Sequence, residues 1–332
     1  MNILGHIGNT PLLKLTRVIE SPDIEIYVKC EYLNPSGSTK DRMALSMIEG
    51  AEKRGGLKPG GTIVEQSTGN TGPALAFVGA VKGYNVQLFL PAQLSSSYNP
   101  ADRIRIARLF GSDITPIDLE DHLESINQLD EVERAAAFVA IRMKQCYDLA
   151  DSDPTTWWAN QLCNPDNTKA HRESTGTEIL AQLDGKVDAW VASIGSGGTL
   201  LGVAETLKEV NPDLTVASVL PTDDPRLEWI RSRVMHEFLE RFGAPGMRFI
   251  IEDILEGKIL DREIVVRNED AKRMADRLCS EEGLFCGISS GANVYAAIEL
   301  AKGMSKGSKI VTVLVDRRDR YFAEYPDEHY VV

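Results

Sequence analysis

Apolar positions along the chain fall into two alternating rhythms. Short, nearly continuous apolar runs appear at IEIYVKC (24–30), TIVEQ (62–66), NVQLFLP (85–91), DAWVASI (188–194), LTVASVLP (214–221) and KIVTVLV (309–315), with a weaker one at SDITPI (112–117). Their length and their β-branched content predict strands covered on both faces. Between them lie stretches with helical spacing: RMALSMIEGAEKRG (42–55), TGPALAFVGAVKG (71–83), PADRIRIARLFG (100–111), TLLGVAETLKEV (199–210), NEDAKRMADRLCSEEG (268–283) and SGANVYAAIELAKG (290–303). Gly111 reads as a helix stop and Asn268 as a helix cap. Residues 119–147 read as a charged helical stretch, and 222–263 carry no clear period. Alternating strands and helices build βαβ units around mostly parallel sheets, and two such sets predict two three-layer α/β domains with a cleft between them.

Composition narrows the partners. The chain has 332 residues, 43% hydrophobic and 26% charged, with a formal net charge of −13. That balance fits an ordinary globular protein and disfavours nucleic acid or an anionic membrane as the main partner. No run approaches the ~20 apolar residues that span a bilayer. MNILGHIGNTPLLKL has no basic region followed by a long apolar stretch, so a cytoplasmic protein is expected. The five cysteines are scattered without a CxxC pair and read as free thiols, and the five histidines lack metal-ligand spacing, so no metal site is expected.

Three polar stretches stand out at strand ends. STGNTG (67–72) follows a strand and opens a helix, setting short hydroxyls, an amide and loop N–H groups where an anion can sit. GSGGT (195–199) does the same after DAWVASI; its glycines and the helix N-terminus suit a phosphate, although it matches neither GxxxxGKS/T nor GxGxxG. By itself it also reads as a tight strand-to-helix turn. NPSGSTKDRMA (34–44) places Lys40 after a small-residue loop at the start of a helix. An isolated lysine there is a solvated first-turn residue, but a half-buried one is a nucleophile toward an aldehyde. A lysine, a phosphate cradle and a carboxylate loop together serve one cofactor, pyridoxal 5′-phosphate, acting on an amino acid.

IGNTPLLKL, NPSGSTKDR, EQSTGNTG, NQLCNPDNTKAHRESTGTEI, GSGGTLLGV, EEGLFCGISSGA and KIVTVLVDRRDRY, in this order and nearly end to end, resemble the cysteine synthase and cystathionine β-synthase group of fold type II pyridoxal-phosphate enzymes. The resemblance implies a tryptophan synthase β-like fold. It implies a smaller mobile domain over 36–151, and a larger one built from 1–35 and 152–332. It makes Lys40 the catalytic lysine that holds the cofactor and moves the Cα proton. It gives Asn70 to the cofactor's 3′-oxygen and Gly195, Ser196, Gly197, Gly198 and Thr199 to its phosphate. Ser289 faces the pyridine nitrogen, a position where a helix cap is an equally simple reading. Ser67, Thr68, Gly69 and Thr71, assisted by Gln161, take the substrate carboxylate. A homodimer is expected on the same ground.

The implied reaction is β-replacement on O-acetyl-L-serine or O-phospho-L-serine through an α-aminoacrylate, with sulfide giving L-cysteine. Departures from the family pattern cluster around substrate entry. FGAPGMRFIIEDILEGKIL (242–260) replaces a GIG-like stretch, Leu220-Pro221 stands where an acidic residue is common, and 119–158 is long and charged. Arg248 is a candidate anion ligand as well as a candidate surface ion pair. The ending VDRRDRYFAEY resembles diaminopropionate-type synthases as much as cysteine synthases. Open alternatives are a β-synthase using another nucleophile (a diaminopropionate-type, cysteate or cystathionine product), a β-eliminating lyase or desulfhydrase, and an idle regulatory relative.

Overall fold

A computed structural model describes residues 2–19, 23–91, 99–117, 126, 128–222, 228, 231–242, 244 and 246–324. The parts of the 119–147 and 222–263 stretches outside these ranges lie outside the described residues.

The apolar runs form strands β2 (Glu25–Lys29), β3 (Thr62–Gln66), β4 (Asn85–Pro91), β5 (Asp113–Ile117), β7 (Ala189–Ser193), β8 (Thr215–Pro221) and β10 (Lys309–Val313). Three short strands carry no comparable run: β1 (Leu12–Lys14), β6 (Thr156–Trp158) and β9 (Arg262–Val266). The strands make two sheets. One runs β1-β2-β10-β7-β8-β9, and the other β5-β4-β3-β6. Among the described strands only the β1–β2 pair is antiparallel; the remaining pairs are parallel. Alternation along β7 explains its continuous apolar character. Trp190 and Ala192 enter one core, and Ala189 and Val191 enter the core on the opposite face.

The helices are α1 (Lys40–Lys53), α2 (Thr71–Lys82), α3 (Ala101–Leu109), α4 (Glu131–Ser152), α5 (Pro165–Ala170), α6 (Thr177–Gln182), α7 (Gly198–Val210), α8 (Val234–Arg241), α9 (Ile250–Glu256), α10 (Asn268–Glu282) and α11 (Ile288–Ala301). Their ends follow local chemistry. Gly83 and Gly283 close α2 and α10 in the left-handed conformation. Asp130 and Glu133 form a reciprocal capping box that starts α4 twelve residues later than the charged stretch begins. The expected Asn268 cap is corrected: Arg267 occupies the cap position without a side-chain bond, and Asn268 is already helical. Likewise Gly287 holds the cap position of α11, and Ser289 sits inside its first turn.

The smaller sheet, with α1, α2 and α3 around it, uses residues 40–158, and the larger sheet uses the chain on either side. β6 lies within the span expected for the larger domain, yet it pairs with β3 through Thr62–Thr156, Ile63–Trp157 and Val64–Trp158. α4 faces both ways: Cys146 packs with Val64 and Phe89 of the smaller sheet, while Ala136, Ala137 and Ala140 join the core of the larger one.

Candidate active site

The candidate residues sit where strands end and helices begin, the crevice at the carboxyl ends of parallel strands that collects ligands in open α/β sheets. β3 runs into Ser67–Asn70 and then α2; β7 runs into Ile194–Gly197 and then α7. Lys40 opens α1, and the turn before it is stitched to the exit of β10: Thr39 N–H donates to Val315 C=O at 2.9 Å and Arg317 N–H to Gly37 C=O at 3.1 Å. These three points frame two adjoining cavities. A smaller one of about 210 Å³ is lined by Lys40, Ser193, Gly195, Thr199, Asn268 and Ser289 among others. A larger one of about 570 Å³ is lined by Lys40, Ser67, Thr68, Gly69, Asn70, Thr71, Gln161, Gly195, Ser196, Asn268, Lys272 and Ser289 together with Arg103 and Tyr321. Among the described lining residues of the larger cavity the charged side chains are Lys40, Arg103 and Lys272, and no carboxylate is present. A positive pocket on a chain of net charge −13 attracts an anion locally.

The 67–72 loop is held from within. Ser67 Oγ accepts from Gly69 N–H at 3.2 Å and from Gly72 N–H at 3.3 Å. Thr71 Oγ1 bonds Gln161 Oε1. Gln161 is fixed in turn: its N–H donates to Glu65 Oε2 at 3.0 Å and its carbonyl accepts from Asn167 Nδ2 at 2.8 Å. Asn167 Nδ2 also donates to Ser196 Oγ at 2.8 Å. A chain of hydrogen bonds therefore runs from the 67–72 loop of the smaller sheet to the glycine loop of the larger one.

The 195–199 loop has the features of a phosphate cradle. Gly197 adopts φ 93°, a conformation that strains any residue with a Cβ, so glycine is strongly favoured there. α7 begins at Gly198, and its first N–H groups have no partner within the helix. The hydroxyl of Thr199 lies 3.1 Å from His171 Nε2, and His171 Nδ1 lies 2.9 Å from Thr175 Oγ1. Burial, aided by Lys40 and Arg42, pushes His171 well below its ordinary range, so it is a neutral brace for Thr199. His171 belongs to a π-type turn, His171–Gly176, set between α5 and α6. Sequence reading missed this brace, along with Asn167 and Glu65. Each is a polar residue in a helix or strand whose meaning lies in a distant partner. For His171 the π-type turn, a geometry that favours functional sites, is the nearest signal, and it is a feature of structure rather than of spacing.

These residues fit pyridoxal phosphate on the structure's own terms: a glycine-built cradle at a helix N-terminus for the phosphate, a lysine facing the same cavity for the aldehyde, and a hydroxyl, Ser289, on its wall. Arg248 stands apart. It is exposed and bonds Asp253 Oδ1 at 2.7 Å and Glu256 Oε2 at 2.7 Å, on α9, outside the lining of either cavity. Its local carboxylates satisfy the fork that an anionic ligand would need. Among the described residues no group of three or more His, Cys, Asp and Glu is placed to hold a metal ion. Among them, too, no helix is long and apolar enough to cross a membrane.

Residues 3–316 match the family model for pyridoxal-phosphate dependent enzymes. The chain is 37% identical over 330 residues to a cysteine synthase of Staphylococcus aureus, covering 97% of this chain and 95% of that one. It is 35% identical over 333 residues to cysteine synthase B of Salmonella typhimurium, covering 99% and 98%. An O-acetylserine dependent cystathionine β-synthase from Helicobacter pylori superimposes with a TM-score of 0.77 at 28% identity, covering 97% of each chain. The two-sheet α/β fold is thus the one expected for fold type II pyridoxal-phosphate enzymes. The chain belongs to the pyridoxal-phosphate-dependent enzyme family and is an enzyme of its β-replacing branch.

Proposed function

We propose that the protein is a cysteine synthase: it replaces the β-substituent of an O-activated L-serine, O-acetyl-L-serine or O-phospho-L-serine, with sulfide. The observation that carries this reading is the convergence of Lys40, the 67–71 loop and the 195–199 cradle on adjoining cavities with a cationic lining. Its relatives, named as cysteine synthases, support the choice of product.

Pyridoxal phosphate, when bound, supplies an aldehyde for amines and a conjugated ring that withdraws electrons from Cα. This chain's residues do the rest. Gly195, Ser196, Gly197, Gly198 and Thr199 hold the phosphate, with Thr199 braced by neutral His171. Lys40 would hold the cofactor through its amine, and the same amine would take the proton from Cα and later return one. Ser67, Thr68, Gly69 and Thr71, with Gln161, hold the α-carboxylate and so turn the Cα–H bond toward Lys40. Ser289, on the cavity wall, would offer the pyridine nitrogen a hydroxyl, which does not force a proton onto it as a carboxylate would, and so would suit departure of a β-leaving group better than a long-lived carbanion. The smaller domain, expected over 36–151 and extended to 158 by the pairing of β6, would close over the carboxylate and exclude water, which limits loss of substrate as pyruvate and ammonia. A cytoplasmic homodimer is part of the same reading.

The test is a product assay with sulfide and O-acetylserine, O-phosphoserine or serine. Cysteine from an O-activated serine is expected, and Lys40→Ala should lower the rate by about 10²–10⁴-fold, the share a positioned proton-transfer group contributes. Pyruvate and ammonia as the main products would make the protein a lyase. Transfer only to an amino-acid nucleophile would make it a different β-synthase.

A further inference from the structure

The segment after β10 carries polar side chains that the reaction does not use and that point inward. Asp316, Arg320 and Tyr321 are 0%, 1% and 7% exposed. They meet around one amide. Asn70 Nδ2 donates to Asp316 Oδ2 at 2.6 Å, and the Tyr321 hydroxyl donates to the same oxygen at 2.6 Å. Arg320 Nη1 donates to Asn70 Oδ1 at 3.0 Å. An asparagine amide offers two N–H donors and one carbonyl. Here the carbonyl is taken by a guanidinium and one N–H by a carboxylate. Flipping the amide would set its oxygen against Asp316 and its NH₂ against Arg320, so the orientation is locked. One N–H of Nδ2 is left over, on a side chain that lines the larger cavity with Lys40.

The locking groups are themselves held. Gly287 N–H donates to Asp316 C=O at 2.9 Å, and a side chain at Gly287 would collide with Asp316 Oδ1 and the Tyr321 ring. The Arg103 guanidinium lies 4.6 Å over the Tyr321 ring. Arg320 Nη2 reaches the Ser36 carbonyl, and Ser36 N–H donates to Asp41 Oδ2 at 2.6 Å. One guanidinium thus touches both the turn leading to Lys40 and the amide of Asn70.

We propose that Asp316, Arg320 and Tyr321 are positioning residues that present the remaining Asn70 N–H to the ring 3′-oxygen of bound pyridoxal phosphate. This rests on the reading of Asn70 as a cofactor ligand. A donor at that oxygen favours its anionic form, and with it the longer-wavelength tautomer of the bound cofactor. Loss of the donor, or of its orientation, raises the shorter-wavelength band.

The experiment is the absorption spectrum of cofactor-loaded protein at fixed pH for wild type, Asn70→Ala, Asp316→Asn, Tyr321→Phe and, as control, Arg318→Gln. Arg318 belongs to the same segment but bonds Asp276 instead of Asn70. The ratio of long- to short-wavelength bands should fall by about threefold to tenfold in Asn70→Ala, the effect of one ordinary hydrogen bond. It should fall in the same direction in Asp316→Asn and Tyr321→Phe, and stay at the wild-type value in Arg318→Gln. Tyr321→Phe removes one hydroxyl and keeps the ring, so it decides the matter if Asp316→Asn does not fold. If Asn70→Ala shifts the ratio and Tyr321→Phe leaves it, the positioning role is overturned while the Asn70 reading stands. An unchanged ratio in Asn70→Ala overturns both. A shift in Arg318→Gln equal to that in Tyr321→Phe overturns the proposal too, since loosening of the segment then accounts for it.

Discussion

Glu65 shows how a single buried residue can tune the site from behind. It lies one residue before the end of β3, buried, and accepts from Gln66 N–H at 3.0 Å with one oxygen and from Gln161 N–H at 3.0 Å with the other. Burial pushes its carboxyl up from its ordinary 4.5 to about 7, against the pull of those N–H donors. Between these two values the folded protein holds one proton more than the unfolded chain. Stability from this group therefore falls as pH rises from about 4.5 to about 7, by ~1.4 kcal/mol per pH unit and about 3 kcal/mol in all. Glu65→Gln should remove that slope, which urea titrations at pH 5, 6 and 7 would read as the difference between variant and wild type. The variant also carries a constant cost, because an amide nitrogen cannot accept the N–H that the second oxygen takes. The slope rather than the absolute stability is thus the test, and parallel pH profiles would count against an uncharged Glu65 at low pH. Above about pH 7, where Glu65 is charged, the Gln161 N–H loses a carboxylate acceptor in the variant, so substrate affinity should weaken there.

At the scale of elements, the critical join is between α1, which carries Lys40, and the larger sheet. Arg42, one residue into the helix past Asp41, is buried and bonds Glu31 at 2.7 Å and Glu178 of α6 at 2.6 Å, while Lys29 of β2 reaches Glu178 at 2.6 Å. Glu31 is fully buried, so removing its partner strands a carboxylate without water. Arg42→Ala should cost about 3–5 kcal/mol in equilibrium unfolding; a cost below about 1 kcal/mol, the level of an exposed pair, would contradict this account. The element pattern also separates what was legible in the chain from what was not. β7, its glycine loop and α7 were readable because a doubly covered strand gives a continuous apolar run and Gly197 must adopt positive φ. Lys40, Asn70 and the 195–199 loop stood out because small residues flank them at strand-to-helix junctions. β1 and β6, three residues each, are too short for a period, and β9 is largely exposed. His171, Asn167 and the Asp316–Tyr321 pair read as polar helix or tail residues. Their roles rest on partners up to 246 positions away in the chain, as in the Asn70–Asp316 bond, and no local pattern encodes such a distance.

Over the whole molecule, the proposed cofactor site is divided between the two sheets. Lys40 and Asn70 belong to segments around the smaller sheet, while Gly195, Ser196, Gly197, Gly198, Thr199 and Ser289 belong to the larger. The protein's own ties across that division include the Asn70 bonds to Asp316 and Arg320 and the run from Thr71 through Gln161 and Asn167 to Ser196. A ligand held from both sides adds to those ties only in the folded state, so binding must appear as stability. Stripping the cofactor with a carbonyl reagent and restoring it at about 100 times its dissociation constant should recover ~2.7 kcal/mol. For a chain of 332 residues that amounts to roughly 4 °C in the thermal midpoint. Lys40→Ala should retain only the part of this gain that the phosphate cradle provides, because its amine-to-aldehyde link is gone. A wild-type midpoint that does not respond to cofactor would mean that the two sides do not grip one ligand, and the division of labour between the sheets would have to be redrawn.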